Sequence, residues 1–250
     1  MIQNRFYLST IDPDAHQLAR AYGLGLEIAQ FCTAWNMDEQ FSQTDAAVRE
    51  QCSGISRRVL HGPFNELFPC AIDPKARELA GFRFRQALEI AQSYGASRVI
   101  LHGGYNPWLY YHSWYVEQSA AFWRDFSIPE GMQVCLENVL EEAPQLLLEI
   151  LERAENPALR ICLDVGHVNA YSKVPLMQWL EACGEKIGHF HIHNNFGDAD
   201  THNPLDAGSI AMEMLLKQAL KSCPQAGFTL EIPQCASSVH WLQRHIFREE

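Results

Sequence analysis

The chain has 250 residues, 47% of them hydrophobic, enough to bury one large core and long enough for a single α/β barrel. Its formal charge of -11 argues against a basic nucleic-acid track, no apolar run approaches the length of a membrane span, and the N-terminal MIQNRFYLST is neither a signal peptide nor an amphipathic transit segment. The eight cysteines are scattered without a C-x-x-C, and Cys135 and Cys162 sit inside apolar strand runs, so they read as reduced, buried thiols in a cytoplasmic protein.

In chain order one unit recurs: a short apolar strand, a loop, then a helix opened by Pro or a small polar residue and often closed by Gly. Phe6 to Leu8 is the first strand, and Asp12-Pro13 opens a helix that stops at Gly23. Leu24 to Ile28 is the second, followed by a long loop with Trp35 and a helix from about Asp45 to Ser53. Arg58 to His61 is the third, and Asp73-Pro74 begins a long helix ending before Gly95. Arg98 to His102 is the fourth, with an aromatic loop and a helix from Trp114 to Phe126. Gln133 to Glu137 and Arg160 to Asp164 are the fifth and sixth, with helices opened by Pro144 and Pro175, the latter closing at Gly184. Gly188 to His193 is the seventh, with a helix from Ser209 to Ser222, and Phe228 to Ile232 is the eighth, with a last helix from Ser237 to Phe247. Eight alternating pairs without a linker predict a (β/α)8 TIM barrel, one domain over residues 1–250.

The seventh strand is the densest in chemistry. Phe190 and Ile192 face one way while His189, His191 and His193 face the other, and the following loop carries Asp200 and His202 as a D-x-H pair. The other strand ends add His61, His102, Glu137, Asp164 and Glu231, with His167 three residues beyond Asp164. In this fold, residues from the C-terminal ends of several strands meet at one rim. A lone rim histidine is more often a hydrogen-bonded structural residue than a ligand. Nine such groups together (five His, two Asp, two Glu) exceed the roughly four that one ion needs, and carboxylates so assembled repel unless cations sit among them. The expectation is therefore one to three divalent ions, zinc, manganese or magnesium. His189, deeper in its strand, reads as structural.

The segments LHGPFNEL, ILHGG, CLENV, CLDVGH, HFHIHNN, DADTH and TLEIP occur in the order and spacing of the xylose isomerase-like barrel superfamily, which the chain resembles over nearly its whole length. That superfamily includes sugar and sugar-phosphate isomerases and epimerases and the endonuclease IV family of DNA-repair enzymes. Resemblance to the epimerases implies one ion on Glu137, Asp164, His191 and Glu231, with Glu137 and Glu231 exchanging a proton through a metal-stabilised enediolate and His167 contacting substrate. Resemblance to endonuclease IV implies three zinc ions on His61, His102, Glu137, Asp164, His167, His191, Asp200, His202 and Glu231, and phosphoester hydrolysis. The second and third loops lack an evident basic and wedge set, Phe64 alone standing where a DNA-inserting aromatic is expected, and Asn194 stands where an Asp is usual. With the acidic charge, this favours a small sugar or sugar phosphate over duplex DNA. Trp35, Asn65, Trp108, Trp114, Asn138 and His193 are then expected to contact the substrate.

Overall fold

The computed structural model describes residues 2–247. Eight parallel strands, β1 (Phe6–Ser9), β2 (Gly25–Ile28), β3 (Arg58–His61), β4 (Arg98–His102), β5 (Gln133–Glu137), β6 (Leu159–Asp164), β7 (Ile187–Ile192) and β8 (Gly227–Leu230), pair in sequence order, and β8 returns to β1 to close the barrel. Closure is in register: Phe6, Tyr7 and Leu8 lie opposite Phe228, Thr229 and Leu230. The helices alternate with the strands: α1 (Ala15–Tyr22), α2 (Ala34–Met37), α3 (Phe41–Gln51), α4 (Pro74–Ser93), α5 (His112–Asp125), α6 (Gln145–Ala154), α7 (Val165–Tyr171), α8 (Leu176–Cys183), α9 (Met212–Ser222) and α10 (Ala236–His245).

The period-two pattern of the strands separates two cores. Phe6, Leu8, Leu26, Ile28, Leu60, Val99, Leu101, Leu136, Leu163, Phe190, Phe228 and Leu230 join the large core under the helices. Val59, Ile100, Cys135 and Cys162 form a separate small cluster against Tyr7, which is the apolar floor of the barrel lumen. One residue-pair further along the same interior parity the side chains become polar: Glu27, His61, Glu137, Asp164, His191 and Thr229 are all buried. The fold thus delivers its titratable groups to one end by strand parity alone.

The helix caps follow the punctuation of the chain. Gly23 closes α1 in the left-handed conformation at φ 63°, and the Asp73 carboxylate accepts the Lys75 N–H ahead of Pro74 at the start of α4. Several boundaries differ from the sequence-based expectation. The helix expected from Asp45 begins at Phe41, and α5 begins at His112, ahead of Trp114. The helix expected from Ser209 begins at Met212, because the Ser209 and Ile210 N–H groups are taken by the Asn195 carbonyl and the Asn194 side chain. A helix absent from the sequence reading, α7, follows β6 directly and is capped by Asp164, whose Oδ1 accepts the His167 N–H at 2.7 Å.

Candidate metal centre

His61, His102, Glu137 and Asp164 close their strands, Glu231 follows β8, and α7 turns His167 back over the mouth. The loop carrying Asp200 and His202 is folded in by the two asparagines after His193. Asn194 and Asn203 exchange backbone hydrogen bonds at 3.0 and 2.9 Å, and the Asn195 amide donates to the Gly166 carbonyl at 2.9 Å. His202 is held at φ 47°, a left-handed conformation unfavourable for a residue with a Cβ and the kind of strain that persists where surrounding contacts enforce it.

All nine candidate ligands converge, in three groups. Glu137 Oε2 lies 3.4 Å from His61 Nε2 and 3.7 Å from His102 Nε2. His191 Nδ1 faces Glu231 Oε2 at 3.2 Å, Glu137 Oε2 at 3.3 Å and Asp164 Oδ2 at 3.8 Å. Asp200 Oδ2 lies 3.1 Å from both His167 Nε2 and His202 Nε2. Two ligands on one tetrahedral zinc, with bonds of about 2.0–2.1 Å, stand about 3.3–3.4 Å apart, so these spacings suit ions. The hydrogen bonding agrees: Glu137 Oε2, His191 Nδ1 and Asp200 Oδ1 are buried without a hydrogen-bond partner. The outer nitrogens of the ligand imidazoles are anchored, His61 Nδ1 on the Gly62 carbonyl, His167 Nδ1 on that of Asn138 and His202 Nδ1 on that of Glu231, which leaves each Nε2 facing inward.

The electrostatics are those of a tightly packed ion-pair lattice. Burial works to raise the Glu137 carboxyl, but the imidazoles of His191, His102 and His167 hold it well below the usual carboxylate range. Burial opposes charge on His61 too, yet its contact with Glu137 raises it to about 9, while burial pushes the less well-paired His102 down to about 4.

The remaining expected residues fall differently. His193 Nε2 reaches both Asp164 oxygens, at 3.1 and 3.2 Å, and its ring lies parallel to that of His202, centroids 3.9 Å apart and planes 8° apart. An ion sits in the plane of each imidazole it binds, and two stacked parallel planes share no such point. His193 therefore braces Asp164 and His202 and is not a fourth ligand beside His202. Asn138, expected at the substrate, is buried, and its amide donates to the Asp164 carbonyl and accepts the Asp164 N–H, which ties the ends of β5 and β6. The Trp114 indole N–H is held by the Cys70 carbonyl, and its ring packs against the core. Trp35 and Trp108 are 61% and 81% exposed, and Asn65 is also exposed. Phe64 stacks on His102 at 4.3 Å.

One buried group escaped the sequence reading. Glu27 on β2 places its carboxylate 3.1 Å from His191 Nε2, on the side of the ring opposite the ligands. Its only signal is an acid between Leu26 and Ile28 at interior parity.

A family model described as xylose isomerase-like TIM barrel matches residues 18–245. The chain belongs to the xylose isomerase-like TIM barrel family. Among its relatives is an uncharacterized protein of Methanocaldococcus jannaschii, 32% identical over 164 residues, which are 61% of this chain and 56% of that protein. The match thus spans little more than half of that relative. Among solved members of similar fold, a D-tagatose 3-epimerase-like protein superposes with a TM-score of 0.78 at 22% identity, covering 97% of each chain. A Thermus thermophilus protein, crystals of which were soaked with zinc chloride, superposes with a TM-score of 0.76 at 23% identity over 98% of this barrel and 99% of its own chain. No helix among the described residues of the barrel is long and apolar enough to cross a membrane.

Proposed function

We propose that this barrel is a divalent-metal-dependent isomerase or epimerase of a small sugar or sugar phosphate. The observation that carries the reading is the meeting of two carboxylates from non-adjacent strands, Glu137 from β5 and Glu231 after β8, on one imidazole nitrogen at 3.3 and 3.2 Å. Zinc, manganese or magnesium would be held by Glu137, Asp164, His191 and Glu231, and when bound would supply a Lewis acid for adjacent substrate oxygens. The chain's own part is proton transfer: a substrate carbon between the two carboxyl groups loses its proton to one, present as carboxylate, and receives a different proton on the opposite face from the other, which enters the step as the acid, while His167 contacts the substrate oxygens. The net charge of -11 and the exposed Trp35 and Trp108 rings, which suit the faces of a sugar, support a small polyol over duplex DNA, as does the likeness to a D-tagatose 3-epimerase-like protein.

A second reading, a multi-zinc phosphoester hydrolase of the endonuclease IV type, is favoured by one specific feature, the third ligand group of His167, Asp200 and His202. The test is to load chelator-stripped protein with each metal, count bound ions, and incubate it in heavy water with a panel of aldoses, ketoses and their phosphates. Incorporation of solvent deuterium at a carbon-bound position, with one ion per chain, supports the isomerase. Three ions, no deuterium incorporation, and cleavage of a phosphodiester substrate would replace it with the hydrolase.

A further inference from the structure

We propose that Glu27 is a positioning residue of the metal centre: it holds the Nε2–H of His191, and thereby aims the His191 Nδ1 lone pair at the ion between Glu137, Asp164 and Glu231. The inference rests on the metal-dependent reading above and adds a residue that none of the ligand sets contains.

The argument comes from the direction of each hydrogen bond in a chain through the barrel lumen. It starts at Arg98, at the opening of β4, whose Nη1 lies 3.4 Å from His189 Nδ1. A guanidinium only donates, so His189 Nδ1 accepts and its proton resides on Nε2. That proton faces the Thr229 hydroxyl at 2.7 Å, and the hydroxyl in turn donates to Glu27 Oε2 at 2.7 Å. A carboxylate only accepts. His191 Nε2, 3.1 Å from Glu27 Oε1 and 3.2 Å from Oε2, must then carry a proton. Nδ1 is then the nitrogen available to an ion, and it faces Glu137, Glu231 and Asp164 without a hydrogen-bond partner. Every member from Glu27 to His191, His189 and Thr229 is wholly buried, so no water substitutes for a lost partner from the surface.

A different use of the same atoms is an ion lodged among Glu27, His189 and His191, whose ligand atoms lie close together. It makes the opposite demand on His191. An ion at Nε2 would push the proton to Nδ1, against the three carboxylates, and would have to share Glu27 Oε2 with the Thr229 hydroxyl. The two arrangements differ by one proton on one ring, which is measurable.

The experiment uses the full chain, loaded with zinc and labelled with nitrogen-15 at histidine. Two-bond nitrogen–proton correlation spectra, with the His191 signals identified by their loss in His191→Asn, report which ring nitrogen is protonated; the Nε2–H form is expected and the Nδ1–H form overturns the proposal. Zinc affinity is then measured by competition with a chromophoric chelator for wild type, Glu27→Gln and Thr229→Val. Loss of a carboxylate behind a ligating histidine lowers metal affinity by about 10- to 100-fold, and Glu27→Gln should show that loss with unchanged circular dichroism. Thr229→Val, which frees the carboxylate without removing it, should show a smaller loss and guards against a Glu27→Gln protein that does not fold. Wild-type affinity in both variants refutes the positioning role alone. A wild-type chain that takes up no zinc, manganese or magnesium refutes the metal reading, and the positioning role with it.

Discussion

Gly166 offers a sharp test of how the site is braced. It is the second residue of α7, and a Cβ built there falls 1.9, 2.4 and 2.5 Å from Cε1, Nδ1 and Nε2 of His193. These are ring atoms of a wholly buried imidazole stacked on His202, so Gly166→Ala forces His193 off Asp164. Overpacking a filled interior costs about 1–3 kcal/mol. Losing a hydrogen bond to a charged carboxylate costs about 1.5–3 kcal/mol. Ala regains about 0.5–1 kcal/mol over Gly in a helix, which leaves a net loss of about 2–5 kcal/mol. The assay is urea unfolding at constant pH, completed as a double-mutant cycle with His193→Ala. In the His193→Ala background the clash is gone, and Gly166→Ala should be neutral or slightly stabilising. A loss below about 1 kcal/mol in the wild-type background, or an equal loss in both backgrounds, would refute the reasoning.

Glu231→Gln should lower turnover by about 100- to 10,000-fold while leaving the far-ultraviolet spectrum unchanged, because it removes a base or anionic ligand without changing shape; an active, normally metallated variant would remove Glu231 from the site. Asp200→Asn combined with His202→Ala should reduce bound zinc by one equivalent if the loop holds an ion, and leave it unchanged if the centre is mononuclear, as elemental analysis beside wild type will report. Zinc at about 100 times its dissociation constant should stabilise the chelator-treated protein by about 2.7 kcal/mol, seen as a rise in melting temperature, and a midpoint insensitive to zinc, manganese and magnesium counts against all three ligand groups. Undamaged duplex DNA should bind weakly at physiological salt, given the charge of -11; submicromolar, salt-sensitive binding in a fluorescence titration would shift the balance toward the hydrolase.

The eight strand–helix units were legible in the chain because each strand is a short apolar run bounded by Gly, Pro or Asp, and local punctuation of that kind needs no tertiary partner. The rim histidines and acids were legible for a related reason, since strand parity and the rule that strand ends share one face place them together before any coordinates exist. The helix α7 was not, because seven residues are too few to show a period, and its cap is an aspartate that the sequence offers equally well as a ligand. Nor could the chain show that Asn138 ties β5 to β6, or that His193 and His202 stack and so cannot share an ion. Glu27 is the clearest case. In sequence it is one acid in GLEI, separated from His191 by 164 residues, and only closure of the barrel brings the two to 3.1 Å. Periodicity tells which way a side chain points, but what it meets there depends on which strands are brought together around the lumen, and that is a property of the closed sheet and not of any segment in it.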